Sequence, residues 1–296
     1  MTILNTMRSI MSHPLNEGRK ASAFLNYVRW QLGSRLLPGE IAFPWVNDST
    51  LLVQPGEHAA TGNIYCGLLE FREMAYVLHA TTREDIFVDI GANVGTYTIL
   101  ACAVQGAKGC AFEPIPRTFR QLERNIMFNG LNAMVSCHNV GIGECDTVLR
   151  FTTDEKSMNH VRLESDPERE TVEVPVRTLK SQMEGIAPTF IKIDVEGYEL
   201  PVLRGAAELL RMPCLHSILI EVNGNGKRYG HDDFEVIQAI EEFGFRAYSY
   251  DPFTRELTEA PDRVMASRNA IFIRDYDFIA KRVKSAAPVA VHGAVI

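Results

Sequence analysis

Two acids and a glycine turn carry the first chemical signal in this chain. Asp89, Gly91, Asn93 and Gly95 sit at the end of the apolar run Ile86-Phe-Val-Asp-Ile90, and Glu113 ends the next apolar run, Lys108-Gly-Cys-Ala-Phe112. A carboxylate at a strand end offers two acceptor oxygens to the two donors of a ribose diol, which suits Glu113. Asp89 can accept from an ammonium group directly or through water. The glycines depart from G-x-G-x-x-G, whose second glycine lets backbone approach a pyrophosphate, because Asn93 takes that middle position. A cofactor without phosphates needs only a tight turn that admits its amino-acid part. Asp89 and Glu113 at consecutive strand ends therefore favour S-adenosylmethionine over NAD.

The second signal is Ile191-Lys-Ile-Asp-Val-Glu-Gly-Tyr-Glu199, where apolar residues alternate with Lys192, Asp194 and Glu196. Charges in the middle of a parallel sheet call for a use. Asp194 falls at the strand end, where cofactor and acceptor meet in an open α/β sheet. Lys192 either serves the chemistry or pairs with Asp194 or Glu196. Glu199 opens the following helix, where a carboxylate meets the positive end of the dipole and serves structure. Methyl transfer from a sulfonium is an in-line displacement in which positioning does most of the work, and a hydroxyl acceptor must also lose its proton. The candidates for general base are Asp194 and His160, the latter in the polar cluster Ser157-Met-Asn-His160. Asn159 and His160 of that cluster, with Glu196, Glu221 and Asn223 near strand ends, are the candidates for acceptor binding. Asn139 and Val140 follow another strand and would meet the adenine edge and ring. Asp194, Glu196 and Glu221 offer oxygen ligands for a metal on paper, but no spacing compels one, and no metal is expected.

These residues need a parallel sheet to position them. Helical spacing over Glu70 to His79 leads into a strand at 86–90, followed by a helix at 95–105, a strand at 108–113, a helix at 116–129 and a strand at 133–138. Val148-Leu-Arg-Phe151 and Thr171-Val-Glu-Val-Pro-Val176 read as strands around a polar segment, 152–170, which forms a strand-loop-strand insertion able to reach over the site. The alternation resumes with a helix near 177–184, a strand at 189–194, a helix at 199–211 and a strand at 216–222. A helix at 232–243 and strands at 245–250 and 270–274 finish the core. Strand alternating with helix predicts an α/β fold with a mostly parallel sheet flanked by helices.

Residues 1–61 form an N-terminal helical and irregular extension, 62–280 the catalytic domain, and 281–296 a flexible tail. The extension carries Arg8, Arg19, Lys20, Arg29 and Arg35 against Glu17 in its first part, and Pro38, Pro44 and Pro55 break the remainder into turns and short strands. Its basic helix either docks on a membrane surface or partner, or caps the catalytic domain and pairs subunits into a homodimer; the capping and pairing reading is preferred. The whole chain of 296 residues has 30 basic and 37 acidic side chains, a net charge of −7, which argues against a nucleic-acid binder and suits a small neutral or cationic acceptor. Six cysteines without C-x-x-C spacing read as buried thiols in a reducing compartment. With no membrane span and no secretory signal in the sequence, a cytoplasmic protein is expected.

Asp-Ile-Gly-Ala-Asn-Val-Gly (89–95), Phe-Glu-Pro (112–114) and Ile-Lys-Ile-Asp-Val-Glu-Gly-Tyr-Glu (191–199) together resemble the FkbM family of S-adenosylmethionine-dependent methyltransferases, over about Gly62 to Arg274. The resemblance implies a class I methyltransferase, Rossmann-like fold and O-methylation of a hydroxyl on a natural product or sugar. It also implies an acidic residue near the cofactor at Glu70, and Asn-His residues like Asn159 and His160 at the acceptor. Two other readings stay open: an NAD-linked oxidoreductase, and a non-catalytic S-adenosylmethionine-binding interaction protein that uses the basic N-terminal segment to hold a partner.

Overall fold

The computed structural model describes residues 3–36, 39–154, 158–260 and 268–296. Ser157 of the polar cluster, and Pro38, lie outside them. Helices Ile3–Ser12 (α1) and Lys20–Leu36 (α2) precede a hairpin of Ile41–Pro44 (β1) and Thr50–Val53 (β2), and His58–Cys66 (α3) and Phe71–Ala80 (α4) lead into the core. There follow Ile86–Ile90 (β3), Thr96–Ile99 (α5) with a π-helical turn over Leu100–Val104, Lys108–Phe112 (β4), Pro116–Phe128 (α6) and Val135–His138 (β5). Short Gly141–Ile142 (β6) then joins Thr147–Thr152 (β7) and Thr171–Arg177 (β8) in a separate three-stranded sheet. Leu179–Gln182 (α7), Phe190–Ile193 (β9), Glu199–Gly205 (α8), Ala207–Leu210 (α9), Ser217–Glu221 (β10) and Asp233–Glu241 (α10) return to the core. Arg246–Asp251 (β11), Glu256–Glu259 (β12), Asn269–Ile273 (β13), Tyr276–Ser285 (α11) and a hairpin of Ala290–Val291 (β14) with Ala294–Val295 (β15) complete it.

The central sheet has eight strands in the order β12-β11-β13-β10-β9-β3-β4-β5. Strands β5, β4, β3, β9 and β10 run parallel, while β13 is antiparallel to both β10 and β11. Side-chain alternation divides the core between two faces. Phe87 and Phe190 point with Leu219 and Ile271 into a cluster shared with Tyr76 and Leu100, while Val88, Ile90, Ile191 and Ile193 join Leu203 and Ile240 on the other side. Helices cover both faces, which explains why β9 is buried along its whole length. The chain moves outward from β3 to β4 and β5, then crosses back to place β9 on the other side of β3. That reversal opens a crevice beyond the carboxyl ends of β3 and β9.

The fold departs from the sequence reading at the C-terminal end. Residues 281–296, expected to fray, continue α11 and close into the β14–β15 hairpin, with Val289, Val291 and Ile296 buried. Arg255 fixes them by donating to the carbonyls of Ala286 and Ile296. Its φ of +56° belongs to the turn between β11 and β12, and β12 is a strand the apolar pattern does not reveal. In the extension, the β1–β2 hairpin is tied to α6, whose Asn125 and Asn129 accept from the amides of Leu52 and Thr50 at 2.8 Å each. No helix among the described residues is long and apolar enough to cross a membrane.

Candidate active site

The turn after β3 is shaped by its glycines. Gly91 has φ +73°, and a Cβ there would lie 1.8 Å from the backbone carbonyl oxygen of Asp194, so only glycine lets β3 and β9 end so close together. Asn93, at φ +52°, takes the left-handed conformation that asparagine tolerates and caps the turn by accepting from the Val94 amide. Gly95, at φ +89°, opens α5 beneath the turn, against Leu122.

Over this turn lies a cleft that opens to solvent. Gly91, Asn93 and Glu113 form one wall, Val140 and Ile142 the next, and Asp194, Glu196 and Tyr198 the third. The insertion supplies the roof. Strands β7 and β8 pair antiparallel, the loop between them folds back so that Phe151 bridges Val161, and Phe151, Asn159 and Val161 face the cleft. Tyr229 fixes this roof by donating to the Val161 carbonyl at 2.8 Å.

Burial raises the carboxyls of Glu113, Glu196 and Glu221 at the cleft. Glu113 is buried, and its two oxygens accept from the amides of Asn93 (3.0 Å) and Ile115 (2.9 Å). Burial nonetheless outweighs those bonds and pushes its carboxyl up to about 7. Asp194 Oδ2 accepts from Lys192 Nζ at 3.0 Å, and its Oδ1 has no hydrogen bond among the described residues. Glu196, in the left-handed region at φ +52°, accepts from Asn225 Nδ2 at 2.9 Å. Its carboxyl is pushed up to about 7 by burial and then by the Asp194 charge. Glu221 is driven up by burial and by Asp194 and Glu196, and its Oε2 is buried without a hydrogen-bond partner among the described residues. Oxygens of Asp194, Glu196 and Glu221 all lie within 4.8 Å of one another, a set of hard donors able to hold a cation.

Beneath the cleft lies an ionic layer. Lys192 Nζ, buried, donates to the Gly91 carbonyl at 3.3 Å, lies 3.7 Å from Asp89 Oδ1, and stands 5.2 Å over the Tyr97 ring. Burial works against its charge, but Asp194 and Asp89 outweigh it and hold the ammonium above its ordinary pKa. Asp89 Oδ2 accepts from the amide and hydroxyl of Thr98, at 3.1 and 2.6 Å, and burial raises its carboxyl above the usual range. Glu70 accepts from Tyr97 Oη at 2.7 Å and from Asn269 Nδ2 at 2.6 Å.

The structure thus brings Gly91, Asn93, Glu113, Val140, Asn159, Asp194 and Glu196 to one cleft, with Glu221 beside the last two. Several expected positions lie elsewhere. Asp89 and Lys192 do not line the cleft; they face each other below it, because that side of β3 and β9 is buried. Gly95 is a helix-capping position, and Glu70 is held at the side by Tyr97 and Asn269. Asn139 is not free for an adenine edge, since its amide donates to the carbonyls of Glu113 and Pro114, both at 2.9 Å. His160 is buried behind Asn159, with Nδ1 3.0 Å from the Met158 carbonyl. Asn223 accepts from the Asn225 amide at 2.9 Å and shapes a loop. Sequence reasoning passed over Tyr198, Thr118 and Asn225; Tyr198 stands four residues past Asp194, in the loop that must cross the cleft mouth.

The sheet order and the crevice at the β3/β9 reversal define a class I, Rossmann-like α/β architecture. Residues 89–247, more than half of the chain, match the Methyltransferase FkbM domain, and the chain belongs to that family. It is 28% identical over 160 residues to Methyltransferase 1 of Beauveria bassiana, covering 46% of this chain and 64% of that one. It is 26% identical over 178 residues to the hexuronic acid methyltransferase AglP of Haloferax volcanii, covering 56% and 65%. The chain therefore spans slightly under two thirds of the length of these curated relatives. Among solved structures, the FkbM methyltransferase of Methylobacillus flagellatus aligns over 86% of this chain and 60% of its own at 16% identity, with a TM-score of 0.44.

Proposed function

We propose that this chain is an S-adenosylmethionine-dependent methyltransferase that methylates a hydroxyl of a small neutral or cationic acceptor such as a sugar or natural product. One observation carries the reading: Glu113, Asp194 and Glu196 line the cleft, and no lysine, arginine or histidine does so among the described residues. S-adenosylmethionine presents an ammonium, a sulfonium and a ribose diol, all matched by acceptors and negative charge, whereas a dinucleotide brings a pyrophosphate that this cleft would repel. Glu113 would take the ribose diol, the Gly91–Asn93 turn the amino-acid part, and Val140 and Ile142 the flat face of the base. The cofactor would supply an electrophilic methyl group.

The chain's own residues would do the rest. Asp194, held by Lys192 through Oδ2, keeps Oδ1 for the acceptor hydroxyl and takes its proton. Lys192 fixes the orientation of that carboxylate. Phe151, Asn159 and Val161 close over the acceptor and exclude water. The test is calorimetric titration with S-adenosylmethionine and NAD, followed by methyl transfer to neutral sugars, amino sugars and hexuronates. Binding of S-adenosylmethionine alone, and an Asp194→Asn variant that binds it normally but turns over roughly 10²-fold more slowly or less, are expected. Tighter binding of NAD, or full turnover by Asp194→Asn, would overturn the reading.

A further inference from the structure

Helix α2 rests on the domain by one side only. Ala23 and Trp30, seven residues apart, are buried, α2 packs on α3, and Gln31 reaches Tyr65 Oη at 2.9 Å. The opposite side carries Leu25, Val28, Leu32 and Leu36, whose spacing of three and four residues places them in one stripe. Leu32 is 59% exposed and Leu36 79%, and Phe24 is exposed at the stripe's edge. By helical spacing Arg29 and Arg35 flank the stripe, with Arg35 donating to the Gln31 carbonyl one turn back, and Lys20 begins the helix. Helix α1, packed on α2, adds Leu4, 80% exposed, with Arg8 one turn later. No aspartate or glutamate occurs between Gly18 and Gly39, although the chain as a whole has a net charge of −7. None of these basic side chains forms an ion pair among the described residues.

We propose that this face of α2 docks on an anionic lipid surface. An apolar stripe flanked by arginines, on a helix roughly 25 Å long whose other side packs on the domain, can lie in a lipid–water interface. The stripe enters the acyl boundary and the arginines meet lipid phosphates at its edge. Charge separates this occupant from a second copy of the chain. A two-fold interface presents the same face twice, so it would gather Arg29 and Arg35 of both copies into one interface with no carboxylate in the segment to offset them. An anionic bilayer supplies that offset along the whole rim.

The experiment is cosedimentation of the full chain with vesicles of phosphatidylcholine alone and of phosphatidylcholine with about one-third phosphatidylserine. Partition into the phosphatidylserine vesicles, weakened by salt, is expected. Two double variants at exposed positions, Leu32→Glu with Leu36→Glu and Arg29→Glu with Arg35→Glu, should each lower it on the order of tenfold or more while leaving the melting temperature within a few degrees. Either variant should bind S-adenosylmethionine like the parent. Failure of the parent to partition, or partition that neither variant weakens, would overturn the proposal. So would sedimentation equilibrium showing a dimer that Leu32→Glu with Leu36→Glu dissociates, because the face would then belong to a second copy.

Discussion

Replacing Glu113 by glutamine separates the binding reading from plain structure, because it should move stability and affinity in opposite directions at alkaline pH. The carboxyl is 6% exposed and is pushed from 4.5 up to about 7 by burial. A raised carboxyl means that the folded state holds the proton more tightly, so the stability it contributes is present below the unfolded pKa and is lost as pH rises through about 7. At about 1.4 kcal/mol per pH unit, holding the ionised form in the fold costs about 3 kcal/mol above that range. Glutamine keeps the shape and removes the charge. Its amide nitrogen also leaves the amide of Asn93 or Ile115 without an acceptor, about 1–3 kcal/mol at every pH. The variant should thus be less stable than the parent near pH 5.5, and its relative stability should climb by about 2 kcal/mol by about pH 8.5. Losing an ionised acceptor for the diol should meanwhile raise the dissociation constant for S-adenosylmethionine about tenfold or more. Urea unfolding at both pH values and calorimetric titration measure the two effects. A stability difference that does not change with pH refutes the buried-charge argument, and an unchanged affinity refutes the placement of the ribose.

Three further outcomes follow from the geometry. Gly91→Ala should lower the melting temperature and weaken cofactor binding, since the new Cβ meets the Asp194 carbonyl at 1.8 Å and must push the ends of β3 and β9 apart; parental stability and affinity would contradict that close approach. Lys192→Met should destabilise by about 3 kcal/mol at neutral pH by leaving Asp89 and Asp194 without their cation, and by less in acid, where the buried Asp89 carboxyl can protonate; a loss that does not shrink in acid argues against the ionic layer. Arg255→Ala should release the β14–β15 hairpin to limited proteolysis and cost about 2 kcal/mol, the scale of hydrogen bonds from a charged donor, so an equally protected C-terminus would show that apolar packing alone holds it.

Much of the parallel core is legible before any tertiary structure. The strands at 86–90, 108–112 and 190–193 stand within a residue or two of where apolar runs and turn residues place them. Their ends carry Glu113 and Asp194 into the cleft as the rule for open α/β sheets requires. Glu199 likewise accepts from the amides of Val195 and Gly197, at 3.3 and 3.0 Å, as a carboxylate opening a helix should. Strand β12 and the ordered C-terminal hairpin stay hidden, because what stabilises them is Arg255 reaching distant carbonyls and burial against the core, neither of which leaves a periodic pattern.

The amino-acid order by itself determines the small-residue turn and the acids at the strand ends, since both depend on local conformation and on residue type. Which acid faces the ligand is decided only in three dimensions. Asp89 and Glu113 look alike as strand-end carboxylates, yet the crossover that sets β9 beside β3 puts Lys192 against Asp89, while Glu113 reaches the open crevice. The same crossover draws Asp194 and Glu196 together with Glu221, more than twenty residues away in the chain, into one acidic rim. Asn139 loses its amide to two backbone carbonyls, and His160 is buried by the fold-back of its own loop. Pairing across the sheet and burial depend on which segments meet, and those are the quantities that spacing along a chain does not contain.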